Sequence, residues 1–275
     1  MEIRTVWNVY FSATGTTEKI STCIAKTAAK LLGSEYKARS FSRPDERAQP
    51  LTFSKEDLVV LGIPVYAGRV PNLLLPFIKE KVCGNGALAT AVTLFGNRDF
   101  DDALIELRDI MQENKFYCIS AGAFVGEHSF STILGAGRPD ESDLALASKL
   151  GEETAKIISN MGVPPLKAIP VKGNEPVRPY YTPRDRFGKP INILKVKPKT
   201  DVSKCVDCGT CSRICTMGSI SLANVCVVSG VCTKCCACVK RCPESAKYFD
   251  DEGYLYHKQE LEEMYKHRAQ VELFY

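Results

Sequence analysis

Two copies of one cysteine spacing constrain this chain more than any other feature of its sequence. Ten of its 13 cysteines lie between Cys205 and Cys242, and eight of those ten form two frames that begin 27 residues apart. The first frame is Cys205, Cys208, Cys211 and Cys215, and the second is Cys232, Cys235, Cys238 and Cys242. A module of about fifty residues has little room for an apolar core. This part of the chain must therefore fold around whatever its thiols hold.

The spacing within each frame indicates iron–sulfur ligation. Three thiolates two residues apart wrap one corner of a cubane, whereas the fourth, three residues later, has turned away and reaches the other cluster. This run, with its crossed fourth ligand, is that of two-cluster bacterial ferredoxins. The sequence therefore predicts two [4Fe-4S] clusters, one held by Cys205, Cys208, Cys211 and Cys242 and one by Cys232, Cys235, Cys238 and Cys215.

Zinc and disulfides are the alternatives to iron. Structural zinc prefers two pairs of ligands with a longer gap between them, and the sequence shows no secretory signal that would favour disulfides. Thr216 follows Cys215 where many ferredoxins have proline, which loosens the turn but removes no ligand. Cys226 and Cys236 are left over, and their size favours apolar filling or spare thiols over a ligand role.

Length and charge narrow the class of protein. The 275 residues suffice for one full domain and a smaller one, and no apolar run is long enough to span a membrane. Residues 162–249 carry a formal charge of +10, dispersed among Pro and Cys rather than interleaved with stacking aromatics, which argues against nucleic acid. Thiolate-rich sites without an export signal predict a cytoplasmic protein, and oxygen-sensitive clusters suit an anaerobic host.

The N-terminal part alternates strand and helix patterns. Apolar runs predict five strands, and helices are expected between them with caps and breakers at their ends. This alternation predicts a doubly wound parallel sheet, in which ligands bind at the carboxyl ends of the strands. Three loops would gather at that edge: 12–17, 64–71 and 95–100.

The first of these loops has the composition of an anion site. Ser12, Thr14, Gly15, Thr16 and Thr17 lie between a strand and a helix, where backbone N–H groups and the helix N-terminus attract negative charge. The loop has hydroxyl groups but no lysine, which suits a phosphate monoester. A nucleoside triphosphate would need the Gly-Lys-Ser/Thr of a Walker loop, which is absent. A plain cluster of helix-capping residues is the other interpretation.

The motif Ser12-x-Thr14-Gly15-x-Thr17 resembles the FMN phosphate loop of flavodoxins. With the cysteine frames, the chain is similar to flavodoxin–ferredoxin fusion proteins over residues 3–161 and 200–249. The resemblance implies that residues 12 and 14–17 hold the FMN phosphate. It further implies two loops at the flavin ring, with these residues: Pro64, Val65, Tyr66, Ala67, Gly68, Phe95, Gly96 and Asn97.

Within these loops the expected roles differ. Tyr66 would lie near the ring, and Gly96 and Asn97 would offer backbone N–H groups and a side-chain amide to its polar edge. His128 follows the last strand of the predicted sheet. It could face the flavin, or it could be a loop residue without a chemical role.

The sequence divides into four parts. These are a flavodoxin-like FMN domain over 1–161, a Pro-rich linker over 162–200, a two-cluster module over 201–249 and a helical tail over 250–275. We expect the linker to lie partly on the first domain, anchored by Tyr180, Tyr181 and Phe187, with a disordered tether as the alternative. A charged helix is expected from His257 to Gln270.

The predicted function is electron transfer between two [4Fe-4S] clusters, FMN and a redox protein partner. No catalytic acid, base or nucleophile stands out. The alternatives are an FMN-dependent reductase of a quinone, nitro compound or disulfide, and a redox-sensing binding protein. The sequence leaves oligomerisation open, and the lack of a Gly-x-Gly-x-x-Gly motif argues against direct binding of a nicotinamide.

Overall fold

The computed structural model describes residues 2–275. Its N-terminal part contains seven strands and four helices. In chain order they are β1 (Thr5–Tyr10), α1 (Thr16–Leu32), β2 (Glu35–Ser40), β3 (Leu51–Thr52), β4 (Asp57–Pro64), α2 (Leu75–Lys81), β5 (Val82–Cys83), β6 (Leu88–Phe95), α3 (Ala103–Glu113), β7 (Tyr117–Val125) and α4 (Glu141–Asn160).

The C-terminal part has shorter elements. They are β8 (Lys199–Thr200), α5 (Thr210–Arg213), β9 (Ile220–Ser221), β10 (Asn224–Val228), α6 (Ala237–Lys240), β11 (Lys247–Tyr248), α7 (Glu252–Met264) and β12 (Glu272–Phe274). Strand β9 pairs with β10 and β8 pairs with β11, both antiparallel. Among residues 2–275, no helix is long and apolar enough to cross a membrane.

The main sheet has the order β12-β7-β6-β4-β1-β2. The five strands from β7 to β2 are parallel. Counted along the chain, they follow the order 2-1-3-4-5, which is that of the flavodoxin-like doubly wound fold. The predicted α/β class with five parallel strands is therefore confirmed.

Burial on both faces explains why the central strands are continuous apolar runs. All eight residues of β6 are buried, as expected for a parallel strand covered by helices on each side. On one face Ile20 and Ile24 of α1 and Leu150 of α4 pack on the sheet, and on the other Leu104 and Leu107 of α3 do so. Strand β2 lies at the edge of the sheet and is half exposed.

The tail differs from its prediction. The expected helix over 257–270 is wrong in its bounds, because α7 begins at Glu252 and ends at Met264. The Asp251 carboxylate starts it by accepting a hydrogen bond from the Tyr254 N–H at 2.9 Å. The residues after α7 then form β12, which pairs antiparallel with β7 and gives the sheet a sixth strand.

The segment over 162–200 runs along the sheet domain. The Tyr180 hydroxyl donates to the Val70 carbonyl at 2.8 Å, and the Tyr181 N–H donates to the Ala67 carbonyl at 2.9 Å. Phe187, also expected as an anchor, is 89% exposed, so that expectation is wrong. The anchor that the sequence did not reveal is Asp102 at the start of α3.

The buried Asp102 carboxylate receives five hydrogen bonds from Asn174 and Arg178. The Arg178 backbone N–H and guanidinium donate at 2.7–2.9 Å, and the backbone and side-chain amides of Asn174 donate at 2.9–3.1 Å. These bonds, the Arg178 side chain first among them, hold the pKa of Asp102 well below its usual range. The contribution of Asp102 to stability is therefore present above the ordinary carboxyl pKa of about 4 and is lost as the pH falls below it.

We predict that Asp102→Ala lowers the free energy of unfolding by about 2 kcal/mol at pH 7, because several donors lose their acceptor. Urea unfolding measures the loss, and trypsin should cleave after Lys172, in the same segment, faster than in the parent. Glu260→Gln, which removes the surface ion pair with Arg186, is the control and should cost at most about 1 kcal/mol. Equal effects of the two substitutions would contradict the assignment.

Candidate functional site

The hydroxyl-rich loop lies at the carboxyl end of β1. Gly15 has a φ of 99°, a conformation that favours glycine, and it precedes α1 without a side-chain cap. Within residues 2–275, the backbone N–H groups of Thr14, Gly15, Thr16 and Thr17 donate to no protein acceptor. Only Ser12 acts as a capping residue, since its hydroxyl accepts from the Glu18 N–H at 3.2 Å. The loop thus presents several unused donors at the positive end of a 17-residue helix.

The loop after β4 is a tight turn. The N–H groups of Tyr66 and Arg69 each donate to the other's carbonyl, at 3.0 and 3.1 Å, and Ala67 and Gly68 have positive φ. A Cβ on Gly68 would lie 2.5 Å from Asp101 Oδ2, so only glycine allows this approach. Arg69 pairs with Glu106 on α3, which fixes the turn on the sheet domain.

The loop after β6 departs from its expected role. The Phe95 side chain is buried and packs on Phe100 in the core instead of lining the edge. The Asn97 amide donates to the carbonyls of Tyr265 and His267 at 2.8 and 2.9 Å, and its oxygen accepts from the Ala269 N–H. Asn97 therefore fixes the tail, and the expectation that its side-chain amide faces a flavin is corrected.

His128 packs on this loop, and a Cβ at Gly96 would clash with its ring. The His128 Nδ1 accepts from the Phe130 N–H at 3.1 Å. Burial, together with the nearby Lys240 ammonium, lowers the pKa of His128 to about 4. The imidazole is consequently neutral at pH 7, with its Nδ1 already occupied.

The eight frame cysteines sort into two cavities. The first, which we call the inner cavity, is lined by Cys215, Cys232, Cys235 and Cys238, with Cys236 beside them. The second, the outer cavity, is lined by Cys205, Cys208, Cys211 and Cys242. In each cavity three thiols come from one frame and the fourth from the other.

The two frames also share one backbone conformation. Residues with positive φ occur at matching offsets from the cysteines, in these pairs: Asp207 and Lys234, Gly209 and Cys236, Gly218 and Ser245. The fourth cysteines are matched too, because Cys215 Sγ accepts from the Ser219 N–H and Cys242 Sγ from the Ala246 N–H, both at 3.3 Å. The sulfur of each fourth cysteine thus accepts a hydrogen bond from the backbone N–H four residues further along the chain.

No single-ion site accompanies these cavities. Among the residues that the structure describes, no group of three His, Cys, Asp or Glu side chains could hold one metal ion.

The inner cavity adjoins the loop edge of the sheet. Ala237 of α6 belongs to the apolar core of the sheet domain, and Val65, Tyr66 and Cys235 pack against that core. The pKa of Tyr66 is raised well above its usual value, first by burial and then by the charge of Cys235. Tyr66, expected beside a flavin ring, therefore lies between the strand-end loops and the second cysteine frame.

Two contacts attach the inner cavity to the sheet domain. The Lys240 ammonium on α6 donates to the carbonyls of His128 and Ser131, at 2.6 and 2.8 Å, and to the Glu127 carboxylate. On the other side, Arg47 Nη2 donates to the Thr216 carbonyl at 2.7 Å. Sequence reasoning missed both contacts. The one available signal was Thr216, which departs from the proline that ferredoxins often have after this cysteine.

The spare cysteines differ in environment. Cys236 is buried, and its thiol lies 3.4 Å from the Tyr254 hydroxyl. Burial raises the pKa of the Cys236 thiol to about 12. Cys226 is half-buried and packs against a small cluster formed by Cys211, Ile220 and Val225.

No protein-family model matches the chain, and no curated protein matches it either. Solved structures do match. A flavodoxin from the domain Archaea is 17% identical with a TM-score of 0.42, covering 57% of this chain and 100% of that one. The flavodoxin of Streptococcus pneumoniae TIGR4 is 18% identical with a TM-score of 0.40, covering 55% and 98%. The rubredoxin oxygen:oxidoreductase of Desulfovibrio gigas is 15% identical with a TM-score of 0.42, covering 57% and 37%.

Proposed function

We propose that this chain is an electron-transfer protein that passes electrons between two [4Fe-4S] clusters and FMN, and on to a redox protein partner. The observation that carries the proposal is the sorting of eight cysteines into two four-thiol cavities, one of which adjoins the edge that bears the phosphate-type loop.

The residues of both cavities fit a cubane. Each cavity offers four thiols, and backbone N–H groups point at Cys215, Cys232 and Cys242, as is usual where amides stabilise ligand sulfur. In the inner cavity the buried Thr233 hydroxyl has no protein partner. A bound group with sulfur acceptors would satisfy that hydroxyl.

The residues at the sheet edge fit FMN in part. Residues 14–17 offer free backbone donors for a phosphate, and Ser12 orders the first turn of α1. Residues 64–68 and the backbone at 96–97 would flank the ring. The Asn97 amide and the Phe95 side chain do not contribute, since both are used elsewhere.

The chemistry comes from the cofactors, because FMN exchanges one or two electrons and each cubane exchanges one. The chain itself holds the groups, orients them and excludes water. Lys240 and Arg47 attach the residues around the inner cavity to the sheet domain, so packing would set the distance between the cofactors. A neutral His128 whose Nδ1 is already bonded suits this structural role better than proton donation.

The first test is the cofactor content of protein purified without oxygen. We expect about eight iron, about eight acid-labile sulfide and about one FMN per chain. Iron without FMN would show that the clusters are present but that the N-terminal domain binds something other than FMN. Zinc in place of iron would overturn the electron-transfer proposal.

The crossed ligation predicts a selective loss. Cys242→Ala should remove the cluster of the outer cavity and lower the iron content by about half, while the inner cluster keeps its four thiols. Electron paramagnetic resonance of the reduced protein counts the remaining clusters. Cys83→Ala is the control, since Cys83 lies in β5, away from both cavities. Loss of the inner cluster alone from Cys242→Ala would show that the ligands are not crossed.

The phosphate loop predicts a selective effect on flavin. Thr14→Ala combined with Thr17→Ala should raise the dissociation constant of FMN at least about tenfold, because charge-assisted hydrogen bonds of about 1.5 kcal/mol each are lost. Flavin fluorescence measures the binding, and the iron content should not change. Thr27→Ala, in the same helix but bonded to Ser148, is the matched control. Unchanged FMN affinity of the double variant would refute the loop assignment.

A further inference from the structure

Thr216 has contacts that its counterpart in the other frame cannot make. It follows Cys215, lines the inner cavity and is 2% exposed. Its hydroxyl lies 3.5 Å from Cys235 Sγ. Pro243 occupies the same offset after Cys242 and has no hydroxyl. The two frames thus have the same backbone conformation, but the polar groups beside their cysteine ligands differ.

The Thr216 carbonyl faces the sheet domain. It accepts a hydrogen bond from Arg47 Nη2 at 2.7 Å, and Arg47 Nη1 donates to the carbonyls of Phe41 and Ser42 at 2.7 and 2.9 Å. The Ser42 hydroxyl in turn accepts from the Ser12 N–H at 2.8 Å. Hydrogen bonds therefore connect the inner cavity to the phosphate-type loop through five residues in turn: Cys235, Thr216, Arg47, Ser42 and Ser12.

We propose that Thr216 is the positioning residue of the inner cluster: its hydroxyl donates to the Cys235 sulfur and raises the reduction potential of that cluster, while its carbonyl holds the cluster to the sheet domain through Arg47. The inference rests on the proposed function, because it requires a cluster in the inner cavity.

The direction of the effect follows from charge. Uptake of an electron makes the cluster and its sulfur ligands more negative, so a hydrogen bond to sulfur stabilises the reduced form more than the oxidised form. As a ligand, Cys235 is a thiolate and can only accept, which makes the Thr216 hydroxyl the donor. A hydrogen bond of this kind changes the reduction potential of one cluster without replacing any of its cysteine ligands.

The outer cavity supplies a matched comparison. The Thr210 hydroxyl lies 3.3 Å from Cys208 Sγ, and the offset of Thr210 in the second frame is occupied by Ala237. Thr210 makes no contact with the sheet domain among the bonds described for it. Among the contacts described, each cavity therefore has one hydroxyl within hydrogen-bond distance of a ligand sulfur, and each can be removed separately.

The test is a redox titration of the anaerobically purified full chain, followed by electron paramagnetic resonance. The signals are assigned by their presence or loss in Cys242→Ala. Thr216→Val should shift the inner signal to a more negative potential and leave the outer signal unchanged. Thr210→Val should shift only the outer signal. Thr216→Ser keeps the hydroxyl and should restore the parent potential.

Should Thr216→Val fail to assemble its inner cluster, Thr216→Pro replaces it, since proline is already accommodated at this offset as Pro243. An unshifted inner potential, or an equal shift of both signals, overturns the assignment of Thr216. These results differ from failure of the proposed function, in which the parent chain would contain no iron. A shift confined to the inner signal and reversed by serine supports the proposal.

Discussion

The buried ammonium of Lys240 determines how the cysteine module sits on the sheet domain. Its side chain is 14% exposed, and three oxygens from residues 127–131 surround its nitrogen. A buried charge is tolerated only where partners replace its water. Any displacement of α6 would remove those partners, so the short helix that carries the second frame is fixed against the loop after β7. The position of the inner cavity follows from that contact.

The fold class was predictable from the sequence because its signals are local and periodic. Alternating apolar runs and helix caps and breakers predict a doubly wound sheet of five parallel strands. The bounds of α7 were less accurate. Helix α7 begins where Asp251 caps it and ends before residues that pair with β7, and neither the cap nor the pairing partner is visible in the periodicity of the tail.

The candidate site was predictable only in part, since several side chains have partners that are distant in sequence. Asn97 has the composition expected at a flavin edge, yet it bonds residues 168–172 positions away in the chain. Asp102 and Lys240 look like ordinary surface charges in the sequence and are instead the main contacts of the linker and of the second frame. The cysteine spacing is different, because its geometry is contained within each frame. The frames could therefore be interpreted before any tertiary contact was known.

The ordered segment between the two parts of the chain bears on the proposed electron transfer. A flexible tether of about forty residues would let its ends separate by roughly 35 Å, and the distance between clusters and flavin would then vary. Here Asp102, Tyr180 and Tyr181 hold the segment on the sheet domain. Beyond the segment, Lys240 and Arg47 hold the residues around the inner cavity from two sides. Since only the inner cavity adjoins the loop edge, electrons that enter at the outer cavity would pass the inner one before they reach a flavin at the phosphate-type loop. The two frames have matching backbone conformations and differ in that the inner cavity packs against the sheet domain. In the proposed transfer, this contact determines which cluster lies next to the flavin.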